Sequence, residues 1–146
     1  MSSVRASITI GRPIESVFAV LTDVEMTSRW FPWKVEEHWT SRPPHGVGST
    51  RRAIIRMFGR RTENEAEVVE FKPPKRAVMR GISPNAPFTA TLDFVRKSTS
   101  TRVDVTIDLD FRGPARIVGP LFATLYRRAW KRGLANLKQL METGAL

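Results

Sequence analysis

The run TRVDVTIDLDF, residues 101–111, leaves the backbone almost no choice of conformation. Val103, Val105, Ile107, Leu109 and Phe111 fall on one side of an extended chain, and Asp104, Thr106, Asp108 and Asp110 on the other. A helix would split the apolar side chains between opposite sides, whereas a strand gathers the carboxylates on one wet face and buries the rest. The preceding segment repeats the pattern, with Phe88, Ala90, Leu92 and Phe94 alternating with Thr89, Thr91 and Asp93.

The same period recurs between Pro32 and Gly113. Short alternating runs are separated by the turn clusters SRPPHGVG, FGRR, FKPPK, SPNAP and RKSTST. Six strands are predicted there, near residues 33–40, 49–58, 60–71, 76–83, 87–96 and 101–111. Connections this short make an antiparallel meander the economical topology. A further strand is expected at residues 4–10, where Val4, Ala6, Ile8 and Ile10 share a side.

Helical spacing appears at both ends. Ile14, Val17, Phe18 and Leu21 form a one-sided stripe, with Pro13 expected at the first helical position and Glu15 near the positive end of the dipole. Thr22 and Asp23 are placed to end that helix and cap a second, shorter one over VEMTSRW. A long closing helix is expected from GPARIVGP to METG. Its stripe comprises Ile117, Leu121, Phe122, Leu125, Ala129, Leu137 and Leu140. Gly119-Pro120 predicts a kink or a restart, and Gly144 a left-handed residue just past the end.

Strand, two short helices, six antiparallel strands and a long closing helix is an uncommon order. The chain resembles the SRPBCC, or START-like, superfamily, and within it the bacterial polyketide cyclase/dehydrase and lipid-transport type. The resemblance is carried by ITIGRPIESVFAVLTDVEMTSRWFP, HGVGSTRR, AEVVEFKPPKRAVMRG, STSTRVDVTIDLDFRG and RGLANLKQLMETG, which together span nearly the whole chain. It implies an α+β helix-grip fold: a seven-stranded antiparallel sheet curved around a long C-terminal helix, with two short helices after the first strand. Residues 1–146 would form one such domain. Members hold lipids, sterols, quinones, polyketides or plant hormones between sheet and helix, and some catalyse cyclisation or dehydration there. The fold alone does not choose among these.

The segment SRWFPWKVEEHW, residues 28–39, holds three of the four tryptophans. Either they fill the core or they wall a cavity. Strict alternation places Trp33, Val35, Glu37 and Trp39 on one face, and Lys34, Glu36 and His38 on the other. A glutamate on an inward face is costly to bury unpaired. Glu37 therefore sits at a wet mouth or pairs with an arginine inside. Arg51 is the expected partner, because it alternates with Ala53, Ile55 and Met57; the alternative is an exposed strand end with Arg51 snorkelling. Asn64 and Ala66 would face inward between Glu63, Glu65 and Glu67, which are expected in solvent. Ala129 and Gly133 would let the sheet approach the helix or leave room. The candidate ligand-binding residues are Trp30, Trp33, Trp39, Arg51, Ile55, Met57, Asn64, Met79, Phe88, Phe122, Tyr126 and Trp130.

No nucleophile elbow, Walker loop, dinucleotide fingerprint or metal-ligand spacing occurs, so no catalytic residue is assigned and neither metal nor cofactor is expected. His38 is expected to face outward beside Glu36, serving as an acid–base pair only if the register inverts, and His45 is expected exposed in a turn. Cysteine is absent, which excludes disulfides and thiolate chemistry. No signal-like or membrane-spanning run occurs, and a cytoplasmic location is the expectation. The formal charge of +10, with 18 arginines among the 24 basic residues, reads first as a solvated surface. It leaves RNA or ribosome binding and an anionic membrane as less favoured alternatives. The favoured function is a carrier for a small hydrophobic ligand, monomeric or homodimeric, with a polyketide cyclase/aromatase-type enzyme as the alternative.

Overall fold

The structure is a computed structural model that describes residues 2–82, 87–111 and 113–146. Strand β1 (Ser2–Ile10) leads into helix α1 (Ile14–Thr22) and a short 3-10 helix (Val24–Arg29). Strands β2 (Lys34–Trp39), β3 (Thr50–Met57), β4 (Arg60–Lys72), β5 (Arg76–Gly81), β6 (Phe88–Lys97) and β7 (Ser100–Leu109) follow, and α2 (Ala115–Glu142) closes the chain. All seven strands join one antiparallel sheet in the order β1-β7-β6-β5-β4-β3-β2. The expected meander, its strand count and the helix-grip arrangement are those observed. Of the SPNAP turn cluster, residues 83–86 lie outside the described residues.

Alternation in β7 has the expected result. Val103, Val105, Ile107 and Leu109 are buried, while Asp104 and Asp108 accept hydrogen bonds from Ser7 and Ser3 across the β1 edge. On α1 the buried residues are the predicted stripe, Ile14, Val17, Phe18 and Leu21. Phe18 meets Phe71 and Phe94 with ring centroids 5.4 and 5.0 Å apart. Each such side chain contributes about 1.5–3 kcal/mol when taken out of water. Pro13 lies one residue before α1, extended at φ −61° and ψ 150°, rather than inside it. Asp23 does cap the 3-10 helix, accepting the Glu25 N–H at 3.1 Å.

Helix α2 departs from its predicted stripe at its beginning. Ile117 is 86 % and Leu121 64 % exposed, because the sheet does not cover those turns. Apart from Gly119, which lies against the Phe111 ring, burial starts with half-buried Phe122 and buried Ala123 and continues through Ala129, Leu134, Leu137 and Met141. The helix also runs through Gly119-Pro120 as one element, without the restart. Pro120 lies on an exposed turn, so the carbonyl that loses a helical donor is open to water. At its far end α2 is tied to β1. Lys138 Nζ donates to the Thr9 carbonyl at 2.6 Å, and Glu142 accepts the Gly11 N–H at 2.6 Å. Gly144, at φ +81°, ends the helix in the left-handed region as expected.

Among the described residues, no helix is long and apolar enough to cross a membrane.

Candidate functional site: an aromatic cavity with a buried charge cluster

The curved sheet, the 3-10 helix and α2 enclose a cavity of about 370 Å³. All twelve candidate residues border it, from Trp30 at the end of the 3-10 helix to Trp130 on α2. The aromatics also contact one another. Trp33 stacks on Tyr126 at 5.6 Å, Tyr126 on Phe122 at 5.3 Å, and Trp30 lies 5.7 Å from Trp130. Core and cavity wall are thus the same residues, facing two ways. Gly133 lies close against these rings. A Cβ on it would come within 3.2–3.4 Å of Phe31 and Trp30, so it is the segment after the 3-10 helix, rather than the sheet, that the small residue admits.

Glu37 and Arg51 both point inward, only 4 % and 3 % exposed. Arg51 Nε lies 2.8 Å from Glu37 Oε2. Of the two environments open to Glu37, the internal pair is the one realised. Arg51 also donates to the Asn64 side-chain oxygen and, at 3.4 Å, to the Asn64 carbonyl. Its guanidinium carbon stands 5.9 Å from the Phe88 ring centre.

Lys34 was expected outside and is found inside. The β2–β3 register shifts between Lys34 and Glu36, a bulge that breaks the alternation. Val35 is turned out, 41 % exposed, and Lys34 is turned in. Its Nζ lies 3.1 Å from Glu37 Oε2, the oxygen that Arg51 also holds. A bulge of this kind has no signature in period-two reasoning. The cavity-lining Leu21, Val24 and Thr27 were also missed, since they lie on helices read only for their core stripe.

These positions determine the electrostatics. Burial pushes the Lys34 ammonium below its ordinary value, opposed by Glu37 and reinforced by Arg51. Arg51 is lowered by the same desolvation, against the attraction of Glu37. Burial raises the Tyr126 phenol, although nearby Trp130 and Arg51 ease it, so the hydroxyl stays protonated as a donor. The indole N–H of Trp30 is buried, with no acceptor among the described residues. Lys34, Arg51 and Tyr126 thus present donors, with Glu37 already engaged by two cations. This arrangement binds and polarises oxygen better than it abstracts protons.

The histidines lie elsewhere. His38 is exposed beside Glu25 and Glu36, as expected. His45 is not exposed but half-buried, its ring stacked on Trp39 at 4.0 Å. The expected solvated carboxylates pair on the surface, Glu63 with Arg52 at 3.1 Å and Glu67 with Arg80 at 3.4 Å.

A sheet gripping one long helix around an internal cavity defines a START-like, or SRPBCC, helix-grip protein. The chain belongs to the polyketide cyclase/dehydrase and lipid transport family, whose profile matches residues 1–142. A Mycobacterium tuberculosis protein of uncharacterised function is 30% identical over 129 residues, covering 86% of this chain and 75% of its own. Two solved structures share the fold. A START superfamily protein from Mycobacterium smegmatis superposes with a TM-score of 0.81 at 16% identity, covering 97% of both chains. An aromatase/cyclase from a Streptomyces species gives 0.79 at 16% identity, covering 95% of this chain and 94% of its own.

Proposed function

We propose that the protein binds and carries a small hydrophobic molecule in the cavity between sheet and helix. The observation that carries this reading is the 370 Å³ cavity, walled by tryptophan, phenylalanine, methionine and aliphatic side chains and reached by a few convergent polar groups. Ligand sites have that size and composition. A guest burying about 200 Å² of apolar surface gains roughly 5 kcal/mol from that alone. Native mass spectrometry of the purified protein, with organic extraction of whatever it holds, tests the proposal. A bound apolar molecule is expected, and its loss in Ala90→Phe, which puts a ring into the cavity. Absence of any adduct, together with failure to bind every apolar probe offered, would end the carrier reading.

A second reading is supported by the donor cluster and by the family. Lys34, Arg51 and Tyr126 on an apolar wall suit an enolate oxygen, the charge that develops when a poly-β-ketone cyclises. Faster ring closure of a poly-β-ketone thioester with the protein than without it would favour this aromatase/cyclase-type activity. An unchanged product distribution would leave the carrier alone.

A further inference from the structure

Resting on the carrier reading, we propose that the cavity selects organic anions: an apolar, ring-sized scaffold bearing one anionic oxygen, such as an aromatic carboxylate, held between Lys34 and Arg51.

The charge count inside the cavity is the first ground. Two largely buried cations, Lys34 and Arg51, face it with one buried carboxylate, Glu37, and both use the same oxygen of that carboxylate; the other carboxylate bordering the cavity, Glu63, is exposed and paired with Arg52. Lys34 is therefore half of an over-subscribed pair. Its ammonium carries three donors, and among the described residues Glu37 is the one acidic partner it has. An uncompensated charge in an apolar enclosure is costly, and an entering anion neutralises it.

The geometry of the cluster is the second ground. Arg51 is held from several sides, by Glu37, Asn64, the Met79 sulfur at 3.3 Å and the Phe88 ring. It is thus already oriented before a ligand arrives, which lowers the cost of binding one. Lys34 reaches the cavity only because the bulge at the start of β2 turns it inward. A structural lysine had no need of that detour, since the outward face was one residue away.

The alternative source of anion binding is the basic exterior, and salt separates the two. Exposed charges are screened across about 8–10 Å at ordinary ionic strength, while an enclosed pair is screened far less.

The test uses the full chain and two near-isosteric probes, 2-naphthoate and its neutral amide 2-naphthamide, titrated calorimetrically at neutral pH. The carboxylate is expected to bind at least about tenfold more tightly than the amide, as a charge-assisted hydrogen bond permits. The ratio is expected to survive about 0.5 M NaCl, where exposed charges are screened within a few ångströms, and to collapse toward unity in both Lys34→Met and Lys34→Gln. Equal binding of the two probes, a preference abolished by salt, or a preference intact in both Lys34 variants would overturn the anion proposal while leaving the carrier reading standing. Failure of both probes to bind would overturn the anion proposal, while the carrier reading stands or falls on the extraction experiment.

Discussion

Arg51→Met is the substitution that most directly interrogates the buried cluster. The methionine keeps much of the stem volume, so the loss is mainly electrostatic. It leaves the Glu37 carboxylate, 4 % exposed, without the guanidinium 2.8 Å away. Removing one partner of a buried pair costs about 3–5 kcal/mol because a naked charge remains. Here Lys34 stays 3.1 Å from the same oxygen, which argues for the lower end. The lost bonds to Asn64 add about 1 kcal/mol. The expected total is about 3–4 kcal/mol. Urea unfolding followed by circular dichroism reads it directly: with a slope near 2 kcal/mol/M, the midpoint falls by roughly 1.5–2 M. Lys34→Met/Glu37→Gln/Arg51→Met removes all three charges and is expected to recover about 2 kcal/mol relative to Arg51→Met alone, a coupling of the size that contacting residues show. The reasoning is refuted if Arg51→Met costs less than about 1 kcal/mol, or if the triple variant is no more stable than the single one.

Other outcomes follow from neighbouring features. Lys34 has a folded-state pKa below its ordinary value, so the unfolded chain binds that proton more readily and the native state is penalised wherever lysine is protonated. Lys34→Met is therefore expected to be more stable than the parent at neutral pH, with the gap closing as pH rises toward the usual lysine range; a gap that widens with pH contradicts this. Glu142 is held below the usual carboxylate range by Lys138 and by the Gly11 N–H, so its contribution is present above that range and lost as pH falls through the depressed value. Acid titrations of Glu142→Gln should show a shallower fall in melting temperature than the parent, and an unchanged acid limb would refute the assignment. At Gly81 an added Cβ would lie 2.1–2.8 Å from the Phe88 ring, which must move. Gly81→Ala is expected to destabilise by about 1–3 kcal/mol and to change apolar-probe affinity, because Phe88 borders the cavity; parent-like values for both would show that the ring yields without consequence.

Legibility in the sequence varied with the physics of each element. β7 could be read because one face is buried and one is wet, so every second residue reports its environment. The stripe of α1 was plain for the same reason at helical period. Pairing of Glu37 with Arg51 was reached by the cost of burying a lone carboxylate, a constraint independent of exact register. Lys34 escaped because a single bulged residue reverses the facing of what precedes it. The early turns of α2 misled differently. Ile117 and Leu121 have core-like spacing, but spacing cannot say how far the opposing sheet extends. Phe58 is another residue local rules would not place: it occupies φ +54° at the tip of the β3–β4 hairpin beside Gly59 at φ +74°, where asparagine is more usual.

The sheet's wiring bears on how the protein is made. β1 and β2 are near neighbours in sequence but sit on opposite borders of the sheet, and β1 pairs with β7, Ser2 against Leu109. During synthesis the first strand emerges with an open edge and must wait until some hundred residues later for its mate, a delay that non-local pairing makes intrinsic. Growth from the β3–β4 hairpin can meanwhile proceed by local steps to β7, so β1, translated before its partner, is among the last strands to dock. A nascent chain of this topology is exposed to mispairing at β1, and a chaperone would have its work there.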